Sequence, residues 1–235
     1  MPKGPDMQIY RTTGHGDLVN FQVLDTRQYR TDQPNDDGVK RPGDAAMRPD
    51  STILGKEQHQ WMNKGLESSR AKWNVLAQQV MMARVDRAPG EDVMCSMDQW
   101  PGYEIERRKV LQSLKDLKVS NPVVLTGDIH SHWANDLMLD FDGGNSEIVG
   151  VEFVGTSITS AGDGQAVPGN HANIVEENPF VKFYNSQRGY VSCEIGAKIW
   201  RTDYRNVDYV TKTDAPLKTT ASFVIEDGRS GLELA

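Results

Sequence analysis

Cysteine is scarce in this chain, which carries only Cys95 and Cys193 among its 235 residues. So few thiols exclude a disulfide-rich scaffold and a cysteine-rich zinc site. We expect both thiols to be free, and a single disulfide between them is the alternative. The chain also lacks any apolar run near the ~18 residues that a membrane span requires.

Positive charge is in deficit as well, because 26 Lys and Arg residues face 33 Asp and Glu residues, a formal net charge of −7. This balance, with no basic stripe, argues against a nucleic-acid partner. There is no Walker loop, no dinucleotide-binding fingerprint after a strand and no Gly-x-Ser-x-Gly elbow. The segment from Met1 to Gly16 has no signal-peptide shape and is predicted to be an extended lead-in.

Alternating strand and helix patterns fill much of the chain. Apolar residues at helical spacing predict helices over 56–70 and 103–118. Segments rich in β-forming residues predict strands over 17–25, 73–79, 123–126 and 148–154. Two successive strand–helix–strand units imply a parallel sheet. A short helix is predicted over 131–139, and the closely spaced β segments after residue 178 indicate an antiparallel meander.

One turn concentrates the residues that are able to bind a metal. Strand 123–126 leads into Gly127-Asp128-Ile129-His130, and His132 follows two residues later. Alternate residues of an extended backbone share a face, so Asp128, His130 and His132 could converge. A carboxylate with imidazole suits a hard-to-borderline metal ion. The alternatives are an Asp–His turn without metal and, for His132, a ligand-orienting or solvent-facing role.

Other polar groups are expected at the same edge of the sheet. Gln79 ends a parallel strand, which places it near Asp128. The cluster from Asp25 to Arg30 either organises a surface loop through an Asp–Arg pair or lines a site. The small-residue loop that contains Thr156 either approaches a ligand or simply turns the chain. His171 lies in a polar loop and is interpreted as an ordinary surface histidine.

Five segments of the chain carry a family resemblance: Leu24 to Arg30, Trp73 to Met82, Asn121 to Leu137, Glu152 to Ser157 and Asn185 to Tyr190. They occur in the same order in the PhoD-type alkaline phosphatases, which are calcineurin-like metallophosphoesterases. The chain resembles the carboxyl-terminal half of these proteins. The resemblance implies that residues 1–235 form a single domain, the carboxyl-terminal portion of the family's catalytic domain. The expected fold is α/β (α+β), part of a β-sandwich flanked by helices and ending in the antiparallel meander.

The resemblance also implies a chemistry, the hydrolysis of phosphate monoesters and diesters at alkaline pH by a dinuclear site of iron(III) and calcium. The Gly127-Asp128-Ile129-His130 turn matches the family's last metal-binding motif. Asp128 and His130 are therefore the expected catalytic and metal-binding residues, with His130 on the iron and Asp128 on the calcium. The residues expected to line the substrate are His132, Gln79, Thr156 and Arg188.

The chain also departs from the family pattern. The family's upstream half supplies an Asp, a Gly-Asp-x-x-Tyr motif and a Trp-Asp-Asp-His-Glu motif, and none of them is present in these residues. Pro101 follows Trp100 where the family often has an Asp. We expect this chain to contribute part of the site, completed by a missing amino-terminal half or a second copy. The family is usually exported by a twin-arginine signal, and no such signal lies in this chain.

Two functions remain open from the sequence. In the first, the chain is part of a phosphoester hydrolase with little activity alone and with exposed apolar surface where the other half packs. In the second, it is a catalytically inactive fragment or a half-domain that binds phosphate or a partner. A single-metal phosphoesterase is a third reading, and it requires ligands from Asp25, Asp163 or His171.

Overall fold

The computed structural model describes residues 4, 7–88, 90, 92–142 and 146–235, the side chain of residue 170 excepted. The strands, in chain order, are β1 (Arg11–His15), β2 (Val19–Val23), β3 (Val39–Lys40), β4 (Trp73–Ala77), β5 (Cys95–Ser96), β6 (Pro122–Thr126), β7 (His132–Met138), β8 (Ile148–Val154), β9 (Val181–Asn185), β10 (Arg188–Ile195), β11 (Ile199–Val207), β12 (Leu217–Glu226) and β13 (Glu233–Leu234). The α-helices are α1 (Gly43–Ala46), α2 (Lys56–Ser68), α3 (Glu104–Asp116) and α4 (Ile174–Glu177), and single 3₁₀ turns cover Trp100–Tyr103 and Gly169–His171.

Two main sheets organise these elements. The larger has seven strands in the order β1-β2-β4-β6-β8-β7-β9, and the smaller has four in the order β10-β11-β12-β13. Strands β2, β4 and β6 are parallel neighbours, as the strand–helix–strand units predict, and β8 adds a fourth parallel strand beside β6. The smaller sheet is antiparallel throughout, which confirms the predicted meander for β10 to β12. The first segment of the predicted meander, β9, instead pairs with β7 in the larger sheet. Strands β3 and β5 pair in a separate two-stranded sheet.

Two local predictions were wrong. Residues 131–139 do not form a helix, because His132–Met138 is strand β7, paired antiparallel with both β8 and β9. Six of its seven residues are buried, and tertiary pairing on both sides overrides the short amphipathic signal. The lead-in segment also contains regular structure, since β1 pairs antiparallel with β2 at the edge of the larger sheet.

The core lies in two layers, one on each face of the larger sheet. Helices α2 and α3 bury Met62, Leu66 and Leu111 against the face that carries Leu76 and Val124. The next residue along each strand points the opposite way, as the pleat requires, toward the smaller sheet. The side chains between the two sheets include Trp73, Val75, Val123, Trp200 and Tyr204. The fold is therefore a β-sandwich with helices α2 and α3 on one side, and the β-sandwich agrees with what the family resemblance implies.

Two further expectations concern cysteines and membranes. Cys95 is buried and Cys193 is exposed, and both thiols are free. Within the described ranges, no helix has the length and apolar character needed to cross a membrane.

Candidate functional site at the carboxyl edge of the larger sheet

The Gly127–His130 turn follows β6 and projects from the carboxyl edge of the sheet. Asp128 and His130 both have left-handed backbone angles, with φ of 68° and 58°, and both side chains are exposed. A non-glycine residue with positive φ is uncommon, and Asp and His are among the types that tolerate it. The turn is coiled, so the period of two expected for an extended backbone does not apply here. Asp128 and His130 face solvent together.

Arg27 reaches the Asp128 carboxylate from the end of β2, which is separated from β6 by β4. Its Nη2 lies 3.1 Å from Asp128 Oδ1, and its Nη1 lies 2.9 Å from Asp98 Oδ2. Asp98 also accepts from Arg30 and from Gln33 Nε2, each at 2.8 Å. Arg27 was not among the site residues predicted from the sequence. The feature that pointed to it is the polar cluster at the end of β2, for which lining a site was one of two alternatives.

The charged side chains in this group shift one another's pKa values. Partial burial opposes the charge on Arg27, but hydrogen bonding and attraction from Asp98 and then Asp128 outweigh it and raise the Arg27 pKa. Burial raises the Asp98 pKa, yet the hydrogen bonds from Arg30 and Arg27 lower it overall. Asp98 therefore holds two guanidinium groups at the edge of the sheet and leaves Arg27 Nη2 directed at Asp128.

Asp25 shapes the turn that carries Arg27. Its Oδ1 accepts from the backbone N–H groups of Arg27 and Gln28, both at 3.0 Å, and Oδ2 accepts from Gln28 Nε2 at 2.6 Å. Asp25 thus organises the loop, which is one of the two alternatives predicted for this cluster. The predicted Asp–Arg pairing differs, however, since the Arg27 guanidinium pairs with Asp98 and Asp128.

Gln79 lies between the Arg27 turn and the Asp128 turn. Its Oε1 accepts from the Thr26 backbone N–H and hydroxyl, both at 2.7 Å, and its Nε2 donates to Leu24 O at 3.0 Å. Its main-chain carbonyl accepts from Thr126 Oγ1 at 2.9 Å and from Gly127 N–H at 3.3 Å. The predicted proximity of Gln79 to Asp128 is therefore confirmed, and its side chain is taken up by protein contacts.

His132 begins β7 and is fully buried, unlike its two neighbours in the motif. Its Nδ1 lies 3.1 Å from the Thr156 backbone nitrogen, which can only donate, so Nδ1 is the unprotonated acceptor. The 3.3 Å contact of Nδ1 with Val154 O is then not a hydrogen bond. The ring packs edge-on against Tyr204 at 5.0 Å. Burial lowers the pKa of His132 to about 4, which keeps the ring neutral.

Arg188 clamps the loop that follows β8. Its guanidinium donates to Ser157 Oγ, to Ser186 O and, at 2.8 Å, to Ser160 O. Gly164, with φ of 75°, packs so closely on Ser186 and Arg188 that a Cβ would collide with them. Arg188 is 3% exposed, and burial lowers its pKa. The Thr156 hydroxyl is buried close by.

Comparison with known proteins identifies the family. A family model described as "PhoD-like phosphatase" matches residues 1–204. The chain belongs to this family. Alkaline phosphatase D from Bacillus subtilis (strain 168) is 47% identical over 232 residues, which cover 99% of this chain and 40% of that protein. A solved structure of PhoD superposes with a TM-score of 0.95 at 46% identity and covers 100% of this chain and 45% of that one.

The chain therefore spans less than half the length of the PhoD-like relatives that it matches. This span agrees with the expected match to one half of the family's chain. The close superposition also confirms the mixed α/β architecture expected from the resemblance.

The donor set at the turn fits part of the metal site that the resemblance implies. Asp128 and His130 offer one carboxylate and one imidazole from adjacent exposed positions, and such donors suit iron or calcium. Among the residues that the structure describes, no three His, Cys, Asp or Glu side chains are grouped so that they could hold a metal ion. The turn can supply two ligands and not a complete dinuclear shell.

The three residues considered for a single-metal site are occupied elsewhere. Asp25 accepts within its own turn. Asp163 accepts from the backbone N–H groups of Val210 and Thr211 at 2.7 and 3.0 Å. The His171 ring is half-buried, stacks on Tyr184 at 5.3 Å and has its Nε2 3.4 Å from Arg87 Nη2, so it is not the ordinary surface histidine that the sequence suggested.

Proposed function

We propose that this chain is the carboxyl-terminal part of the catalytic domain of a phosphoester hydrolase. Asp128 and His130 are its catalytic and metal-binding residues, and the substrates are phosphate monoesters or diesters. One observation carries the proposal: the Gly127–His130 turn presents both side chains to solvent at the carboxyl edge of parallel strands, with Arg27 Nη2 3.1 Å from Asp128. Open α/β sheets bind their ligands at this edge. The 47% identical relative is called alkaline phosphatase D.

The metals of the proposed site are iron(III) and calcium. His130 would hold the iron through a ring nitrogen, and Asp128 would hold the calcium through its carboxylate oxygens. When bound, the two ions supply Lewis-acid polarisation of the phosphate and activation of the attacking water. Arg27, whose Nη2 lies 3.1 Å from Asp128 Oδ1, would bind a phosphate oxygen, since a guanidinium is suited to oxyanions.

The predicted lining residues take different places in this proposal. Gln79 and His132 hold the turn and strand that frame the site. Thr156 and Arg188 shape the loop on its far side. Gln79, His132 and Thr156 lie at the carboxyl edge of the larger sheet or in a loop that leaves it. Arg188 begins β10 of the smaller sheet and holds that loop through Ser157.

The remaining ligands are proposed to come from the portion of the relatives' length that this chain does not span, or from a second copy. Strand β1 offers one place for such pairing, because all five of its residues are exposed at an edge of the larger sheet. The chain alone is accordingly expected to have little phosphatase activity.

Complementation tests this proposal. The chain is produced alone and together with the upstream part of the Bacillus subtilis relative, and both samples are assayed with p-nitrophenyl phosphate, iron and calcium. Turnover is expected only in the combined sample, with iron and calcium detected by elemental analysis. Asp128→Asn should abolish it, and Thr213→Ala on an exposed loop is the control. Robust turnover that survives Asp128→Asn, or a combined sample that binds no metal, would overturn the proposal.

A further inference from the structure

Gln79 is the residue through which the two functional turns are joined. The side chain makes three hydrogen bonds to the segment Leu24–Thr26, and the main-chain carbonyl makes two to the segment Thr126–Gly127. Each turn then carries one charged group into the proposed site, Arg27 from the first and Asp128 from the second.

The bonding pattern leaves the side-chain amide little freedom. Its oxygen accepts two hydrogen bonds from Thr26, and its nitrogen donates one to Leu24 O. The amide is therefore bonded to both donors and an acceptor of the same segment. A typical hydrogen bond of this kind contributes about 0.5–1.5 kcal/mol net. Without the amide, the main-chain bonds from Thr126 and Gly127 remain, and within the described residues the Arg27 turn is held at the end of β4 only through the main-chain bond from Leu24 N–H to Ala77 O.

We propose that Gln79 is a positioning residue, whose side chain fixes the Arg27 turn against the strand end to which the Asp128 turn is bonded. This role rests on the proposed function, since it matters for catalysis only if Arg27 and Asp128 act on a phosphoester. Gln79 does not need to touch substrate. It sets the distance between the guanidinium that meets the phosphate and the carboxylate that meets the metal.

Gln58 provides a matched control within the same chain. Its Oε1 accepts from Asp25 N–H at 2.7 Å, and its Nε2 donates to Asp25 O at 2.8 Å and to Leu54 O at 3.0 Å. It holds the same turn, but it ties that turn to helix α2, on the other side from Asp128. Substituting Gln58 therefore removes a comparable number of hydrogen bonds without touching the link between the turn and β4.

The first test needs no activity. Hydrogen–deuterium exchange is measured on the chain alone for wild type, Gln79→Met and Gln58→Met, because methionine keeps the side-chain length and removes the polar atoms. In Gln79→Met, peptides covering residues 24–30 should exchange faster while those covering 122–127 keep their protection. Unchanged exchange over 24–30 would overturn the proposal.

The second test uses the combined sample described for the proposed function. Gln79→Met should raise KM for p-nitrophenyl phosphate by about tenfold, the lower end of the effect of outer-shell partners, with a smaller change in kcat. Gln58→Met should change KM much less. Gln79→Glu, which keeps an acceptor for Thr26, should recover part of the loss.

The decisive comparison is the double variant Gln79→Met with Arg27→Met. A residue that works through Arg27 has nothing left to position once the guanidinium is gone, so the double variant should have the same KM as Arg27→Met alone. Additive losses would overturn the positioning role. If the wild-type combined sample has no turnover while exchange over 24–30 still responds, the proposed function fails and Gln79 is purely structural.

Discussion

Two groups of residues in and beside the larger sheet differ sharply in environment. The exposed turn, Gly127 to His130, holds its acid and imidazole in solvent. The buried group consists of His132, Glu152 and Arg188, which are 0%, 0% and 3% exposed. Asp128, His130 and His132 have regular spacing in the sequence, yet a boundary between solvent and core falls after the second of them. Spacing alone therefore does not tell which of these side chains can meet a ligand.

The backbone explains where that boundary falls. The left-handed angles of Asp128 and His130 coil the chain, and His132 is the first residue of β7, paired with Asn185 of β9. Strand pairing fixes its ring against Tyr204. The side chains of the exposed turn are thus accessible to a ligand, whereas those of the buried group are expected to stabilise the fold. Four substitutions can break or sharpen this division.

The largest effect is expected from His132→Ala. The ring fills a fully buried space and accepts the Thr156 amide, so its removal should lower the free energy of unfolding by about 3 kcal/mol, as for other large buried side chains. His130→Ala is the control from the exposed turn and should change it by no more than about 0.5 kcal/mol. Urea unfolding measures both. Equal changes in the free energy of unfolding for the two variants would contradict the distinction between the exposed turn and the buried group.

Glu152 should make the free energy of unfolding depend on pH, by an amount similar to the effect of His132→Ala. The carboxylate accepts from the backbone N–H groups of Met82 and Ala83 and from Asn135 Nδ2, but burial dominates and raises its pKa to about 7. A raised folded-state pKa favours the protonated form, so the stability it contributes is present below about pH 4.5 and is lost as pH rises through about 7.

The expected loss for Glu152 is on the order of 3 kcal/mol, since each unit of pKa shift corresponds to about 1.36 kcal/mol. The measurement is the difference in unfolding free energy between wild type and Glu152→Gln at several pH values. Wild type should lose stability relative to the variant between about pH 4.5 and 7. A difference that stays constant with pH would show that Glu152 is not perturbed by its burial.

Asp128→Asn should separate function from stability. Asparagine also tolerates left-handed angles, so the turn is retained and the unfolding free energy should change by less than about 0.5 kcal/mol. In the combined sample, the apparent calcium affinity should fall by about 100-fold, or about 2.7 kcal/mol. Isothermal titration with calcium provides the affinity. A large loss of stability would place Asp128 with the buried group instead.

The smallest of the four effects is expected from Arg188→Lys. A lysine keeps the charge but cannot donate at once to Ser157, Ser160 and Ser186, so about 1–2 kcal/mol of stability should be lost. Limited proteolysis should then cut faster within residues 157–164. Unchanged proteolysis would show that the loop does not depend on the guanidinium clamp.

Much of the architecture could be read from the sequence. The parallel strands, the two long helices and the meander follow from periodicity and turn residues, because local patterns report which face of an element is buried. Strand β7 was mistaken for a helix because its pairing partners, β8 and β9, lie later in the chain and are invisible to a local window. The ion pairs of Arg27 were not predicted for the same reason, since Asp98 and Asp128 are far from it in sequence.

The sequence by itself determined the Gly-Asp-Ile-His turn, the strand that precedes it and the family to which the chain belongs, because these depend on contiguous residues. Only the tertiary structure decided which side of the turn meets solvent, which arginine meets Asp128 and which glutamine joins the two turns. Those outcomes depend on strand pairing and on hydrogen bonds between residues that are tens of positions apart, such as Thr26 and Gln79. Their partners become neighbours only when the sheet has formed.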